Sequence, residues 1–352
     1  MNTSAVRCSR QRAGAKGSAR NDPHARLMKA VVCRAWGPPA NLTIEEMVSP
    51  STGATSVKIR VARAGVNFPD VLIVQGTYQD KPHFPFSPGA EVSGTVVEVG
   101  ERVVDFAVGD RVMAVCQIGG FAEDVAVHHG SVFKIPDTMS FDVAAALPLA
   151  YGTTIHALVD RAALAPGETL LVTGAGGGVG IAAVQLGKAL GATVIAAAGS
   201  AEKLHAAREA GAAHTIDYTT ENIVDRVREL TKMQGVDVVY DAVGGDAFDA
   251  CVRAIGWGGR LLIVGFAAGR IPQIPANRLL LKSASALGVY WGAFATREPA
   301  KNRANFERLE EFYLEKKIDP KIGATYAFED APQAIVDLMN RKVIGKAIVV
   351  VS

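Results

Sequence analysis

Between residues 28 and 134, apolar and polar positions alternate in short stretches: Val57, Ile59 and Val61, then parts of 92–99, then Arg111–Val115. A two-residue period sets one face of a strand against a core and the other toward water. Turn residues separate the stretches, at Gly37-Pro38-Pro39, Pro88-Gly89, Gly109-Asp110 and Gly119-Gly120. The pattern predicts an all-β, barrel-like domain. From about Leu147 the texture changes. Strands predicted at Thr169–Thr173, Thr193–Ala198, 236–240 and 260–264 are near-continuous apolar runs separated by helical segments. Strands covered by helices on both faces have that composition, so the fold class is α/β with a doubly wound parallel sheet. The last sixty or so residues carry two helices, near 302–314 and 330–340, and a short strand at Lys346–Val350. No internal repeat is present. The expected domains are 28–150, 151–289 and a closing segment 290–352, preceded by an extension at 1–27.

The strongest chemical signal follows the strand Thr169–Thr173. Gly174-Ala175-Gly176-Gly177-Gly178-Val179-Gly180 leads into a predicted helix at 181–190. Glycines there permit positive φ, let backbone approach a pyrophosphate and let helix pack close on strand, while the helix N-terminus offers free N–H groups. In the G-x-G-x-x-G spacing Ala175 holds the first place, with Gly177 and Gly180 after it. Strand before, helix behind and a second strand at Thr193 form the context that a dinucleotide site requires. A tight turn without ligand is the plainer alternative. The second strand ends Ala197-Ala198-Gly199-Ser200 with no acid to hold a ribose 2′-OH. Ser200 and Lys203 suit a 2′-phosphate instead, so NADPH is the expected cofactor.

The same glycines satisfy T-G-x-x-x-G-x-G, the turn of short-chain dehydrogenases, and Tyr313 and Lys317 supply a Y-x-x-x-K pair. That reading fails on two counts. Some 140 residues of β-rich sequence precede the turn, and Ala300, followed by Lys301 and Asn302, stands where a serine is needed.

Charge and composition narrow the class. The chain has 352 residues, 49% hydrophobic and 20% charged, as in a water-soluble globular protein. The net charge of +2 arises in the first 27 residues, where six basic residues face one acid, so the remainder stands at about −3. Neither a nucleic-acid partner nor a membrane surface is expected. Cys8, Cys33, Cys116 and Cys251 form no CxxC pair, which fits a reducing cytoplasm. The apolar stretch 279–295 is interrupted by Lys282 and too short to span a bilayer. The basic extension reads as a disordered tail or a start assigned ahead of Met28; a mitochondrial targeting segment is the alternative.

The order β-rich domain, dinucleotide domain, return to the first resembles the medium-chain dehydrogenase/reductase superfamily across residues 28–352. The resemblance rests on Gly65-Val66-Asn67-Phe68-Pro69-Asp70, Pro88-Gly89-Ala90-Glu91-Val92-Ser93-Gly94, Val108-Gly109-Asp110-Arg111-Val112 and the glycine turn. Within the superfamily the chain is most similar to the NADPH:quinone oxidoreductases, the zeta-crystallin-like branch. The resemblance implies a GroES-like catalytic domain beside a Rossmann domain. Asn67 and Ala90 stand where alcohol dehydrogenases place a zinc-binding cysteine and histidine, and Glu91 alone cannot complete a three-ligand site. No metal is therefore expected. His128 and His129, as neighbours on a strand, would point to opposite faces and could not chelate together.

The resemblance assigns catalytic roles to Asn67, Asp70 and Tyr78. It places Thr153, Tyr218, Gly265, Phe266 and Lys346 beside Ala175, Gly177, Gly178, Val179, Gly180, Ser200 and Lys203 around the cofactor. Local roles compete: turn hydrogen bonds for Asn67, a helix N-terminus for Asp70, a pocket wall for Tyr78, a helix start for Thr153 and Thr154, a surface charge for Lys346. The expected activity is hydride transfer to a quinone or other conjugated carbonyl, with an enone or enoyl thioester reductase and a non-catalytic NADPH-binding protein as alternatives. An apolar outer strand within 284–290 leads to the expectation of a homodimer.

Overall fold

The computed structural model describes residues 26–352. The expectations for the extension lie, up to residue 25, outside the described residues; the first strand, Leu27–Val32, begins one residue before Met28.

The first domain is built around the antiparallel strand Ser56–Val66. One edge pairs with Glu91–Val99, beyond which lie Arg111–Val115 and Val132–Lys134. The other edge is shared. Asp124–His128 takes its first half, and Lys346–Val350 takes its second, with Ile322–Tyr326 parallel beyond that. Val57, Ile59 and Val61 are all fully buried, as their alternation predicts, in one core with Val92, Val96, Val112 and Phe121. Leu27–Val32 and Thr43–Val48 form a separate antiparallel pair. The sequence placed His129 on a strand with His128. The strand instead ends at His128, His129 enters a short 3-10 turn, and the two rings lie with centroids 4.8 Å apart.

The second domain is a six-stranded parallel sheet. Its spatial order is His214–Asp217, Thr193–Ala198, Thr169–Thr173, Val236–Asp241, Ile255–Ile263, Ser285–Gly288. In chain order this runs third, second, first, fourth, fifth, sixth. The direction of winding reverses between Thr169–Thr173 and Val236–Asp241, and ligands of such sheets bind outside the carboxyl ends of the strands at that point.

The closing segment divides its loyalty. Ile322–Tyr326, Ala331–Met339 and Lys346–Val350 return to the first domain, where Ala331, Ala334, Ile335, Ala347 and Val349 join its core. The helices Trp291–Arg297 and Pro299–Leu314 do not. Their aromatic residues Trp291, Phe294, Phe306 and Phe312 share a core with Leu170, Ala182 and Val194 of the second domain and with Phe133 of the first. Gly152 of the linking helix Pro148–Ile155 makes room for this wedge, since a Cβ there would lie 2.7 Å from the Trp291 ring. The linking helix is tied to the second domain by the Tyr151 hydroxyl, which donates to Gln185 Oε1 at 2.7 Å.

Candidate active site

The glycine turn sits at the point where the winding reverses. Gly174 has φ +60°, and the helix Gly178–Ala189 starts directly behind the turn. At Gly180 a Cβ would come within 2.2 Å of Gly174 O, so only glycine lets this helix begin so close to its strand. Ala175 is fully buried and its N–H goes to Ala197 O at 3.1 Å, which explains why the first place of the motif tolerates a methyl. Beyond the turn the N–H groups at the helix start have no earlier helical turn to bond to and form an anion-binding end.

The far end of the second strand is lined by groups from both domains. Ser200 caps the helix Ala201–Ala210, its hydroxyl accepting from Lys203 N at 3.4 Å and donating to Glu202 at 3.2 Å. The Lys203 stem packs on Gly176, where a Cβ would lie 2.5 Å from Lys203 Cβ, and its ammonium donates to Arg341 O at 3.1 Å. Tyr218 lies against Gly199; burial raises its phenol pKa and the nearby Arg341 charge lowers it. Arg341, at φ +59° just past the helix Ala331–Met339, donates to Ala267 O at 3.2 Å. It is a cation beside Lys203 and Tyr218 that no local spacing announced.

At the other end the turn meets the first domain. Gly177 lies in register with Gly345, whose N–H donates to Gly176 O at 2.8 Å. The next residue, Lys346, runs its stem over Gly178, where a Cβ would meet Lys346 Cδ at 2.8 Å. Its ammonium then enters the first domain, reaching Glu91 Oε1 and Asn67 Oδ1, each at 2.6 Å, and Val66 O at 3.0 Å. Asn67 closes the cluster by donating from Nδ2 to Glu91 Oε1 at 2.8 Å. Asp70 also reaches back over the start of the helix Phe68–Val74, its Oδ2 accepting from Asn67 N at 2.7 Å, while Asp70 N donates to Asn67 O at 3.0 Å. Asp70 is fully buried with Oδ1 unpartnered among the described residues, and burial pushes its pKa from 3.8 up to about 7. Tyr78 is half-buried beside this cluster. Its phenol pKa is raised by burial first, then by Tyr290, Asp80 and Asp70.

Two family models match the chain: one described as zinc-binding dehydrogenase over residues 178–308, the other as alcohol dehydrogenase GroES-like domain over residues 53–137. A quinone oxidoreductase-like protein 2 homolog of Nematostella vectensis is 44% identical over 325 residues, covering 91% of this chain and 88% of that protein. The chain belongs to the quinone oxidoreductases of the medium-chain dehydrogenase/reductase superfamily. Another relative in the family, quinone oxidoreductase-like protein 2 of Bos taurus, is 39% identical over 92% of both chains. The solved quinone oxidoreductase of Escherichia coli, complexed with NADPH, superposes with a TM-score of 0.84 at 27% identity, over 92% of this chain and 99% of that one.

With the family in hand, the residues expected from sequence can be sorted by where they lie. Asn67, Asp70, Tyr78 and Lys346 come together at the junction, and Ser200, Lys203 and Tyr218 at the end of the second strand. Thr154, a neighbour of Thr153, is committed internally, bonding Ala150 O at 2.7 Å and the Tyr240 hydroxyl at 2.9 Å, whereas Thr153 remains half-buried. Gly265 and Phe266 leave the sheet next to Asp241, Gly265 donating to Asp241 O at 3.4 Å. Asp241 is itself buried at the carboxyl end of its strand, holding the Thr173 hydroxyl and Gly244 N, and burial raises its pKa. Its dense bonding makes it a fastener between two strands rather than an open acid.

One family model is described as zinc-binding, yet the donor set here does not match a catalytic zinc, which takes three side-chain ligands. Asn67 and Glu91 already surround an ammonium, and among the described residues no three His, Cys, Asp or Glu side chains converge. Cys116 does lie near Asp70 and Glu91, but burial and those two charges push its thiol pKa up, away from a thiolate ligand.

Proposed function

We propose that the protein is an NADPH-dependent oxidoreductase that delivers a hydride to a quinone or another conjugated carbonyl without a metal. The observation that carries this reading is the junction itself: a glycine-lined helix start abuts, through Gly345 and Lys346, the wall formed by Asn67, Asp70 and Tyr78. Bound NADPH supplies the hydride. In this reading the backbone at Gly178, Val179 and Gly180 holds the pyrophosphate, with the Lys346 stem covering Gly178; Ala175 and Gly177, expected there from sequence, instead shape the turn, their N–H groups committed to Ala197 O and Gly174 O. Ser200, Lys203 and Tyr218, joined by Arg341, hold the 2′-phosphate. Thr153, Gly265 and Phe266 line the nicotinamide.

The choice of acceptor follows from the wall. With no Lewis acid to polarise a simple ketone, a conjugated acceptor is favoured, because its negative charge develops on an oxygen remote from the arriving hydride. Reduction consumes one hydride and one proton. The Tyr78 phenol, its pKa raised above 10, stays protonated and donates a hydrogen bond to that oxygen. Asp70 holds a proton below about pH 7 and keeps a second negative charge away from the cluster.

The test is NADPH oxidation with 1,4-benzoquinone, 9,10-phenanthrenequinone, enones and enoyl thioesters. Steady turnover with the quinones is expected. Binding of NADPH without turnover of any acceptor would leave a non-catalytic NADPH-binding protein. The assembly belongs to the same proposal: Ser285–Gly288 is the outer strand of its sheet, and Trp257, Leu280 and Leu281 are exposed nearby, an edge suited to a second copy of the chain.

A further inference from the structure

Lys346 is 4% exposed and Glu91 not exposed at all. Every strong hydrogen-bonding atom of the pair is used. The three ammonium hydrogens go to Glu91, Asn67 and Val66. Glu91 Oε1 also accepts from Asn67, and Oε2 accepts from Leu149 N at 2.7 Å. Two charges out of water are expensive, and apolar residues commonly replace such a pair without loss of stability. What apolar residues would not reproduce is the grip on one carboxamide. The Asn67 oxygen faces the ammonium and its NH2 faces the carboxylate. Turning the amide over would set NH2 against ammonium and oxygen against carboxylate, so only one orientation is compatible with the pair.

The pair is also a mechanical link. Gly345 is bonded to the glycine turn, Lys346 continues from it to Asn67, and Glu91 continues to Leu149 at the start of the linking helix that carries Thr153. The cofactor turn, the catalytic-domain wall and the linking helix are thus held by one buried ion pair.

We propose that Lys346 and Glu91 are positioning residues for hydride transfer, holding the Asn67 carboxamide and the glycine turn in one register, and that the Lys346 charge does not serve the cofactor's phosphates. The proposal rests on the oxidoreductase reading above.

Single-turnover hydride transfer, measured alongside NADPH affinity by calorimetry, tests it. Misplacement by about 1 Å costs roughly 100-fold in rate, so Lys346→Met should be slower by about that factor while its Kd for NADPH stays within about threefold. Because a lone buried charge destabilises a fold, the deciding variant is Lys346→Met with Glu91→Gln, which removes both charges. Its Tm should return to within about 2 °C of the parent, with hydride transfer still slow. Lys346→Arg, which keeps the charge, should regain at least about a tenth of the rate, in line with a geometric requirement. A double variant that transfers hydride at the parent rate would make the pair purely structural and overturn the proposal. A Kd for NADPH raised about tenfold or more, with the rate at saturation unchanged, would make Lys346 a phosphate ligand and overturn it as well. Failure of the functional reading is seen separately, in parent protein that binds NADPH yet reduces no acceptor, and it would remove this proposal too.

Discussion

The Asp70 carboxyl lies in the first turn of the helix Phe68–Val74, with Oδ2 taking the Asn67 N–H and Oδ1 meeting no donor among the described residues. An orphaned oxygen in a dry place favours the neutral acid, which is why the pKa climbs to about 7. Folding therefore binds a proton that the unfolded chain, at 3.8, has already released. The stability this contributes is complete below pH 4 and is lost as pH rises through 7. Asp70→Asn keeps an acceptor for the cap and abolishes the titration. Thermal unfolding should find it close to the parent at about pH 3.5 and progressively more stable toward pH 9, by up to about 4 kcal/mol; a pH-independent difference would refute the buried acid. For Tyr78, substitution by Phe should lower kcat with enones by roughly 100-fold at little change in KM, the signature of a donor that acts on developing charge. Unchanged kinetics would leave Tyr78 as pocket wall. Asn67, Asp70 and Tyr78 were legible because they fall within twelve residues of one another in a recognisable stretch. Glu91 was noticed only as a leftover ligand. Its partnership with Lys346 spans 255 positions and has no local spacing to betray it, although Gly65, where a Cβ would lie 2.3 Å from Glu91 Oε1, marks the crowding.

Among the elements, periodicity recovered most strands of the parallel sheet, because buried parallel strands are apolar on both faces and short; it missed His214–Asp217, where His214, Thr215 and Asp217 leave no apolar run. The strand Thr169–Thr173 and the helix behind it follow directly from Leu170-Leu171-Val172 and the glycines. What escaped was allegiance. The helices Trp291–Arg297 and Pro299–Leu314 carry apolar faces that fit either domain, and only the room left at Gly152 and the contact with Phe133 decide that they wedge between the two. The turn after Ala331–Met339 is a similar case, since Arg341 reaches Ala267 and the Lys203 ammonium from the other domain. If this cluster reads a 2′-phosphate, Lys203→Ala and Arg341→Ala should each raise the KM for NADPH by roughly tenfold, the size of a charge-assisted contact, and leave that for NADH within about twofold. Equal effects on both cofactors would remove the cluster from cofactor choice.

For the whole molecule, the expected homodimer rests on the outer strand Ser285–Gly288 and on Leu280 and Leu281, which are 78% and 68% exposed. Leu281→Asp would place charges in a self-facing interface, and light scattering should show the parent as a dimer and the variant as a monomer. A monomeric parent would refute the assembly. The two-domain layout was readable from texture alone; the closing of the first domain by the chain's final strand was read from resemblance, and its pairing partner could come only from the structure. That pairing has a temporal side. Residues 63–66 have as their neighbours residues 347–350, which in turn hold Ile322–Tyr326, so the sheet of the first domain remains two strands short while nearly all the rest of the chain is being made. The parallel sheet of the second domain, drawn from residues 169–288, needs no such wait. During synthesis the later domain can therefore mature before the earlier one, the reverse of the usual order. The site at Gly177, Gly345 and Lys346 then comes into being only with the last few residues, so a prematurely ended chain would carry the glycine turn and the wall of Asn67, Asp70 and Tyr78 with nothing to join them.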